Sequence, residues 1–436
     1  MKLFKILPIT MMLLATSCGS SLPVQDDPGP APSEYAKYTV LVYMCGANLE
    51  SDFANETRID NGYYIQKWDG RGLATMDIDE IISVAGKPDD VNIVIQTGGA
   101  VEWTSKKYGK YGSYSISSKK LQRHHVYNNK IHLDESLPDD NMGKSSTLQN
   151  FLEYGLTTYP AQKTALILWN HGGGLQGVCF DEKHYSDGLT ADEVCDAVDG
   201  ALKNTGHEGE KLEWIGYDAC LMAVQDIAEK NSHYFNYMVA AQETESGYGW
   251  DYARFIDDIY RDEPTPVILK EIVDGFIAYN GGVNSSYNDQ TLAYYNLSYM
   301  SPYVNAWQNL SYEISTKLRT TNKYTFRNLL LSGKYYAGND YIYFGQFDVK
   351  DFMSNLSNSY TFNPGSSYIQ AVLDAHANLV EYSKCGKAAG ESYGLSFYWD
   401  ITDTARAING YHGFNTAFSN WESLSYNYGG SETGYY

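Results

Sequence analysis

Basic side chains are scarce in this sequence. Lysine and arginine together number 32 against 53 aspartates and glutamates, a net charge of −21 over 436 residues. A phosphate backbone needs a basic footprint, so nucleic acid is excluded as a partner. The acidity suits basic substrates or bound calcium, and it is equally the charge of an ordinary solvated surface. Cysteine is sparse too, with six in the chain, which excludes a disulfide scaffold. The nine histidines, including the adjacent His124 and His125, show no metal-ligand spacing. Neither is there an EF-hand or similar dense ligand loop, so no metal site is expected and calcium stays an option only. Disorder is excluded by a charged fraction of 19% and an aromatic fraction of 14%, with 40 tyrosines.

Long apolar runs are also missing, apart from one at the start. Lys2 and Lys5 precede an apolar stretch from Leu7 to Ala15, too short to span a bilayer, which closes on the small residues of "ATSC". The pattern resembles a bacterial lipoprotein signal over 1–17, with cleavage before Cys18 and acylation of that cysteine; simple secretory cleavage nearby is the alternative. Residues 18–35, rich in Pro, Ser and Gly, read as a flexible tether. An exported chain anchored to the membrane of the cell envelope through a lipid at Cys18 is expected. Beyond that position five cysteines remain: Cys45, Cys179, Cys195, Cys220 and Cys385. An odd number leaves at least one thiol free or paired between chains.

What the sequence does contain is a series of apolar runs that read as buried strands: 38–44, 91–97, 164–170, 212–218, 237–243 and 393–399. Helical spacing separates them at 75–85, 145–157, 190–203 and 221–230. Continuous apolar strands alternating with helices predict an α/β fold whose mostly parallel sheet is covered on both faces. Ligands of such sheets bind beyond the carboxyl ends of the strands. A catalytic domain over 36–264 is expected. A more helical C-terminal subdomain over 265–436 is expected to return its last strand, 393–399, to the main sheet or its edge.

Two strand ends carry chemistry. The run 164–170 exits into His171 and the glycines Gly172 to Gly174; the run 212–218 closes on Asp218, Ala219 and Cys220. If these strands are parallel neighbours, a base and a nucleophile emerge together, as cysteine acyl transfer requires. A helix starting right after Cys220 would favour its thiolate. Glycine at 172 would let a peptide carbonyl approach the backbone, with the N–H groups of Gly172 and Cys220 as oxyanion donors. Each piece also has a plainer reading, the thiol as a small core residue and the histidine as a loop start. Asp218, two residues before Cys220, shares its face and either lines a pocket for a basic side chain or caps the following helix. Glu243, Glu245 and Asp251 follow the next strand and are candidate substrate-binding carboxylates.

These stretches together resemble the clostripain family of cysteine peptidases, within the wider group of caspases, gingipains and legumain. "TVLVYMCGANLESD", "ALILWNHGGG", "IGYDACLMA" and "QETESGYGWDY" occur in the family's order, and "YGLSFYW" is similar to its closing strand. The resemblance implies a caspase-like three-layer sandwich, a dyad of His171 and Cys220, and endopeptidase action on peptides or proteins after Arg or Lys, with Asp218 in the specificity pocket. No required cofactor is expected, with calcium possible. Activation by cleavage between histidine and cysteine, as in some relatives, would fall near Lys183 in "CFDEKHYSDG", a segment that reads equally as an uncut surface loop. The chain departs from the family pattern at Ala47 and Asn48, where an aspartate is frequent, and at Leu175, Asp226 and Ser246. Two other readings remain. One is a catalytically silent surface lipoprotein gripping glycans or peptides through aromatic side chains; the other is a transpeptidase working through the same acyl-enzyme.

Overall fold

The computed structural model describes residues 36–52, 59–60, 63–64, 70–87, 90–105, 114–283, 288–338, 344–401 and 417–429. The leader, the tether and Cys18 lie outside the described residues. Nine strands form the main sheet: β1 (Ala36–Cys45), β2 (Val91–Gly98), β3 (Lys120–Tyr127), β4 (Lys130–Pro138), β5 (Ala161–Trp169), β6 (Leu212–Asp218), β7 (Phe235–Ala240), β8 (Thr291–Asn296) and β9 (Val380–Cys385). Their spatial order is β9-β8-β7-β6-β5-β1-β2-β3-β4. The central five, β7 to β2, are parallel. An antiparallel pair flanks them on each side.

Both sheet faces are covered, which is why the central strands are largely apolar. On one face Leu41, Tyr43, Leu166, Leu168, Ile215 and Tyr217 are buried. They lie under the helices α2 (Ser145–Thr158), α3 (Ala191–Asn204) and α4 (Gln225–Asn231) and others from later in the chain. On the other, Val40, Val42, Ile93, Ile95 and Ile167 meet α1 (Leu73–Val84), α5 (Tyr252–Tyr260) and α6 (Thr265–Val283). Each such fully buried aliphatic side chain contributes about 1.5–3 kcal/mol of transfer free energy. Successive residues alternate between the two cores, the period-two signature of a strand. The result is a three-layer α/β sandwich. The two cores are separated by the sheet, and each draws on residues from before and after position 265.

The strand expected at 393–399 is a correction. Ser396–Tyr398 pairs with Gln346–Asp348 in a separate two-stranded sheet, where Phe397 and Trp399 belong to an aromatic cluster with Trp307 and Trp421. The segments 291–296 and 380–385 supply the late strands of the main sheet instead. The hairpin of β3 and β4 was hidden by its polar composition. Its turn is made by Asn128 and Asn129, both at positive φ (50° and 55°), the conformation that tight hairpins need and asparagine tolerates. Among the described residues, no helix is long and apolar enough to cross a membrane.

Candidate active site

Strands β5 and β6 lie side by side with Trp169 opposite Asp218. His171 and Cys220 each follow that register pair by two residues, so the ladder itself delivers both to one level at the carboxyl edge. The side chain of Asn170 holds the exit in place. Its Nδ2 donates to the Cys45 carbonyl at 2.7 Å, and its Oδ1 accepts from the Phe180 N–H at 2.8 Å. Gly172 passes so close to Cys220 that a Cβ there would stand 2.2 Å from the Cys220 carbonyl oxygen and 3.0 Å from its nitrogen. Any other residue would push the two strand exits apart.

The helix expected over 221–230 begins later, at Gln225. Leu221 adopts a positive φ of 66°, and the following chain stays extended, with the Ala223 N–H donating to the Ala241 carbonyl at 2.9 Å. Cys220 therefore does not sit at a helix N-terminus. Its Sγ instead accepts from the Glu245 N–H at 3.2 Å, and the N–H groups of Gly172 and Cys220 also favour its charged form. Burial pushes the thiol up, and the three donors only partly offset that. Burial also holds the His171 imidazole below its ordinary range. Both shifts favour the uncharged forms, thiol and neutral imidazole. Nε2 of that imidazole lies 2.8 Å from Oδ1 of Asn48.

His171 and Cys220 line one cavity of about 300 Å³ together with Asn48, Asp218, Glu245 and Gly249. The cavity is acidic. Asp218 Oδ2 accepts from the Tyr252 hydroxyl at 2.9 Å, and burial raises the carboxyl to about 6 against that bond. Burial first, then the neighbouring Asp218, holds Glu245 well above the usual carboxylate range. Behind them Asp77 of α1 accepts from the Trp169 indole N–H at 2.6 Å. Burial and the charge of Asp218 hold Asp77 high as well. A Cβ on Gly249 would come within 3.2 Å of Asp77 Oδ2 and 3.3 Å of Asp218 Oδ2, and its φ of +59° also calls for glycine.

The sequence pattern of the clostripain family, peptidase family C11, matches residues 69–420. The chain belongs to the clostripain family. It is 23% identical over 266 residues to clostripain of Hathewaya histolytica, covering 51% of this chain and 49% of that protein. The chain thus spans about half the length of the curated relative it matches. Its fold is similar to that of a secreted C11 cysteine protease from Bacteroides thetaiotaomicron, with a TM-score of 0.61 at 15% identity over 89% of this chain and 99% of that one. A structure described as an inactive zymogen C11 protease from Parabacteroides distasonis gives a TM-score of 0.60, also at 15% identity, over 89% of this chain and 99% of that one.

Within this clostripain-family site two expected carboxylates lie elsewhere. Glu243 does not line the cavity: its Oε1 accepts from the N–H groups of Thr244 and Ala337, at 2.9 and 3.0 Å. Asp251 caps α5, accepting from the Arg254 N–H at 3.2 Å. The reason is that β7 ends at Ala240, so the alternation that would align Glu243 with Glu245 has stopped before either residue.

Lys183 is anchored, its Nζ 2.7 Å from both Asp139 carboxylate oxygens and from the Ser118 carbonyl. Its side chain is 16% exposed. His124 and His125 are buried in β3 and lowered to about 4 by burial. All five described cysteines are free thiols. Among the described residues, no group of three or more His, Cys, Asp or Glu is arranged to hold a metal ion. Sequence reasoning missed two members of the site. Asn48 was visible only as a departure from the family pattern, and Asp77 lay inside an ordinary amphipathic helix.

Proposed function

We propose that the mature chain is a cysteine endopeptidase that cleaves peptide bonds after Arg or Lys through Cys220 and His171. The observation that carries this reading is the sharing of one acidic cavity by the thiol, the imidazole and the carboxyls of Asp218 and Glu245. A basic side chain entering that cavity meets an aspartate poised to ionise and brings the scissile carbonyl to Sγ.

In the proposed reaction His171 takes the thiol proton as Sγ attacks the carbonyl carbon. The resulting oxyanion is held by the N–H groups of Gly172 and Cys220. The C–N bond breaks as the imidazolium gives its proton to the leaving amine. Water then attacks the thioester with His171 as base, releasing the acid and restoring the thiol. No cofactor enters these steps. Calcium as an accessory ligand would be detected by loss of turnover in a chelator.

Self-activation near Lys183 is part of the proposal in a specific form. The Lys183 side chain has to leave Asp139 and Ser118 to reach an active site, so cleavage there follows opening of the 178–189 hairpin. Nearby Tyr185 is fully exposed. Export with a lipid at Cys18 is also proposed. It agrees with the description of the Bacteroides thetaiotaomicron relative as secreted.

The test is turnover of fluorogenic peptides ending in Arg, Lys, Asn or Asp by the mature chain, beside Cys220→Ala. Release from Arg and Lys peptides that vanishes in the variant is expected. No release from any peptide, before or after cleavage at Lys183, would overturn the reading. Mass analysis of the mature protein tests acylation of Cys18.

A further inference from the structure

The nucleophile has a second set of neighbours. Toward the cavity Cys220 faces carboxyls, but it also packs against a small apolar cluster of Leu221, Tyr336 and Ala337, joined by Phe344. Two members hold backbone conformations that side chains rarely adopt, with φ at +66° for Leu221 and +72° for Ala337. Such conformations persist only where the surroundings enforce them, and they concentrate at functional sites.

Here the enforcement is visible. The Leu221 N–H donates to the Glu243 carbonyl at 3.2 Å, and Gln346 Nε2 donates to the Leu221 carbonyl at 3.2 Å. The Ala337 N–H donates to the Glu243 carboxylate at 3.0 Å, and the Tyr336 hydroxyl to Asp348 at 2.7 Å. Glu243, absent from the cavity, thus fastens this wall to the nucleophile's turn. Among the described residues, chain neighbours aside, no atom lies within 4 Å of the place a Cβ on Gly338 would take.

A peptide with its basic side chain in the acidic cavity has its scissile nitrogen at His171, which lines that same cavity. The residue before the basic one then passes the other side of Cys220. On the footing of the peptidase reading, we propose that Phe344, half-buried against the closed backing of Leu221 and Ala337, forms a subsite for an apolar side chain immediately preceding the Arg or Lys. Specificity on this side comes from a segment late in the chain, far in sequence from the dyad. Glu243 beneath the wall disfavours an acidic residue at that position.

The test uses three chloromethyl ketones, Ala-Leu-Lys, Ala-Gly-Lys and Ala-Asp-Lys, which carry only residues on the acyl side. Labelling forms a carbon–sulfur bond at Cys220 and expels chloride, so its rate is read by mass on the mature chain. The Leu probe is expected to label roughly tenfold faster than the Gly probe, the discrimination one apolar side chain gives in an apolar pocket. Phe344→Ala should bring that ratio to about two, whereas Phe344→Leu should keep most of it.

Equal rates for all three probes, or a ratio unmoved by Phe344→Ala, would overturn the subsite while labelling itself leaves the peptidase reading standing. No labelling by any probe would overturn both. Quenched peptides varied on the far side of the scissile bond complete the test. A Phe344-dependent preference appearing only there would assign the wall to the leaving group and overturn the proposal.

Discussion

Nε2 of His171 meets Oδ1 of Asn48 at 2.8 Å across 123 positions of sequence. With a carbonyl oxygen as acceptor, the imidazole proton resides on Nε2 and Nδ1 is the free base. Asn48 is held on the short helix Ala47–Ser51 that follows β1, so the strand beside β5 orients the imidazole.

Asn48→Ala should therefore lower kcat about 10–100-fold with KM little changed, as loss of a positioning partner does. Asn48→Asp places a carboxylate beside the imidazole and raises its pKa. The acid limb of the kcat profile should move up by about one pH unit in that variant. Profiles of the two variants that overlie the parent would dismiss the positioning role.

Asp218 is the carboxyl whose charge a basic side chain would read. Its value near 6 means that the charged form is lost as pH falls, so kcat/KM on Lys peptides should decline below that point. Asp218→Asn should remove this limb and cut kcat/KM by about 100-fold or more, since a buried cation would lose its counter-charge. A variant with parental kcat/KM and an unaltered profile would refute the assignment.

Asp77 bears on stability. Its folded pKa is raised, so the folded state holds a proton that the unfolded chain releases at about pH 4. Stability contributed by this group is therefore present at low pH and falls as pH rises from the unfolded value through the folded one. Asp77→Asn keeps an acceptor for the Trp169 indole and removes the ionisation. In urea unfolding it should match the parent near pH 4.5 and exceed it by about 1–3 kcal/mol at pH 8. A variant less stable than the parent at pH 8 would count against this account.

Glu50 is the support beneath Asn48. Its carboxylate accepts from the N–H and hydroxyl of Thr75, at 2.9 and 2.6 Å, and from those of Thr104, at 2.7 and 2.8 Å. Glu50→Ala strands the N–H groups of Thr75 and Thr104 and leaves their two hydroxyls only each other, and should cost about 3–4 kcal/mol in chemical denaturation. Below its melting transition the variant should also be slower than the parent, because the helix carrying Asn48 is tied down by these bonds. Parental stability and rate together would contradict this.

The parallel core of the fold was legible because apolar runs dominate the five central strands, and the run 212–218 was matched to the residue. The meeting of His171 and Cys220 at one cavity was legible for the same reason, since they stand at the ends of two such runs. Polar strands escaped. In β3, Arg123 is buried by a bond to Gln96 and a bridge to Glu135, and nothing in a string of Lys, Gln, Arg and His announces burial. The carboxylates divided according to where regular structure stopped. Asp218 is still on its strand and its facing followed from alternation, whereas Glu243 and Asp251 lie in irregular chain where spacing carries no direction. Asn48 reaches the cavity, and Asp77 the back of Asp218, from other elements, so only the tertiary arrangement reveals them.

The adjacency of β5 and β6 has one more consequence. Any cut near Lys183 falls in the connection between two strands already laced to one another by backbone hydrogen bonds. The two fragments would remain a single object without a covalent link, much as a zip stays shut when the tape beside it is snipped. Base and nucleophile would then belong to different polypeptides while keeping the spacing that the ladder dictates, and the severed connection would be free to change length without disturbing the chemistry.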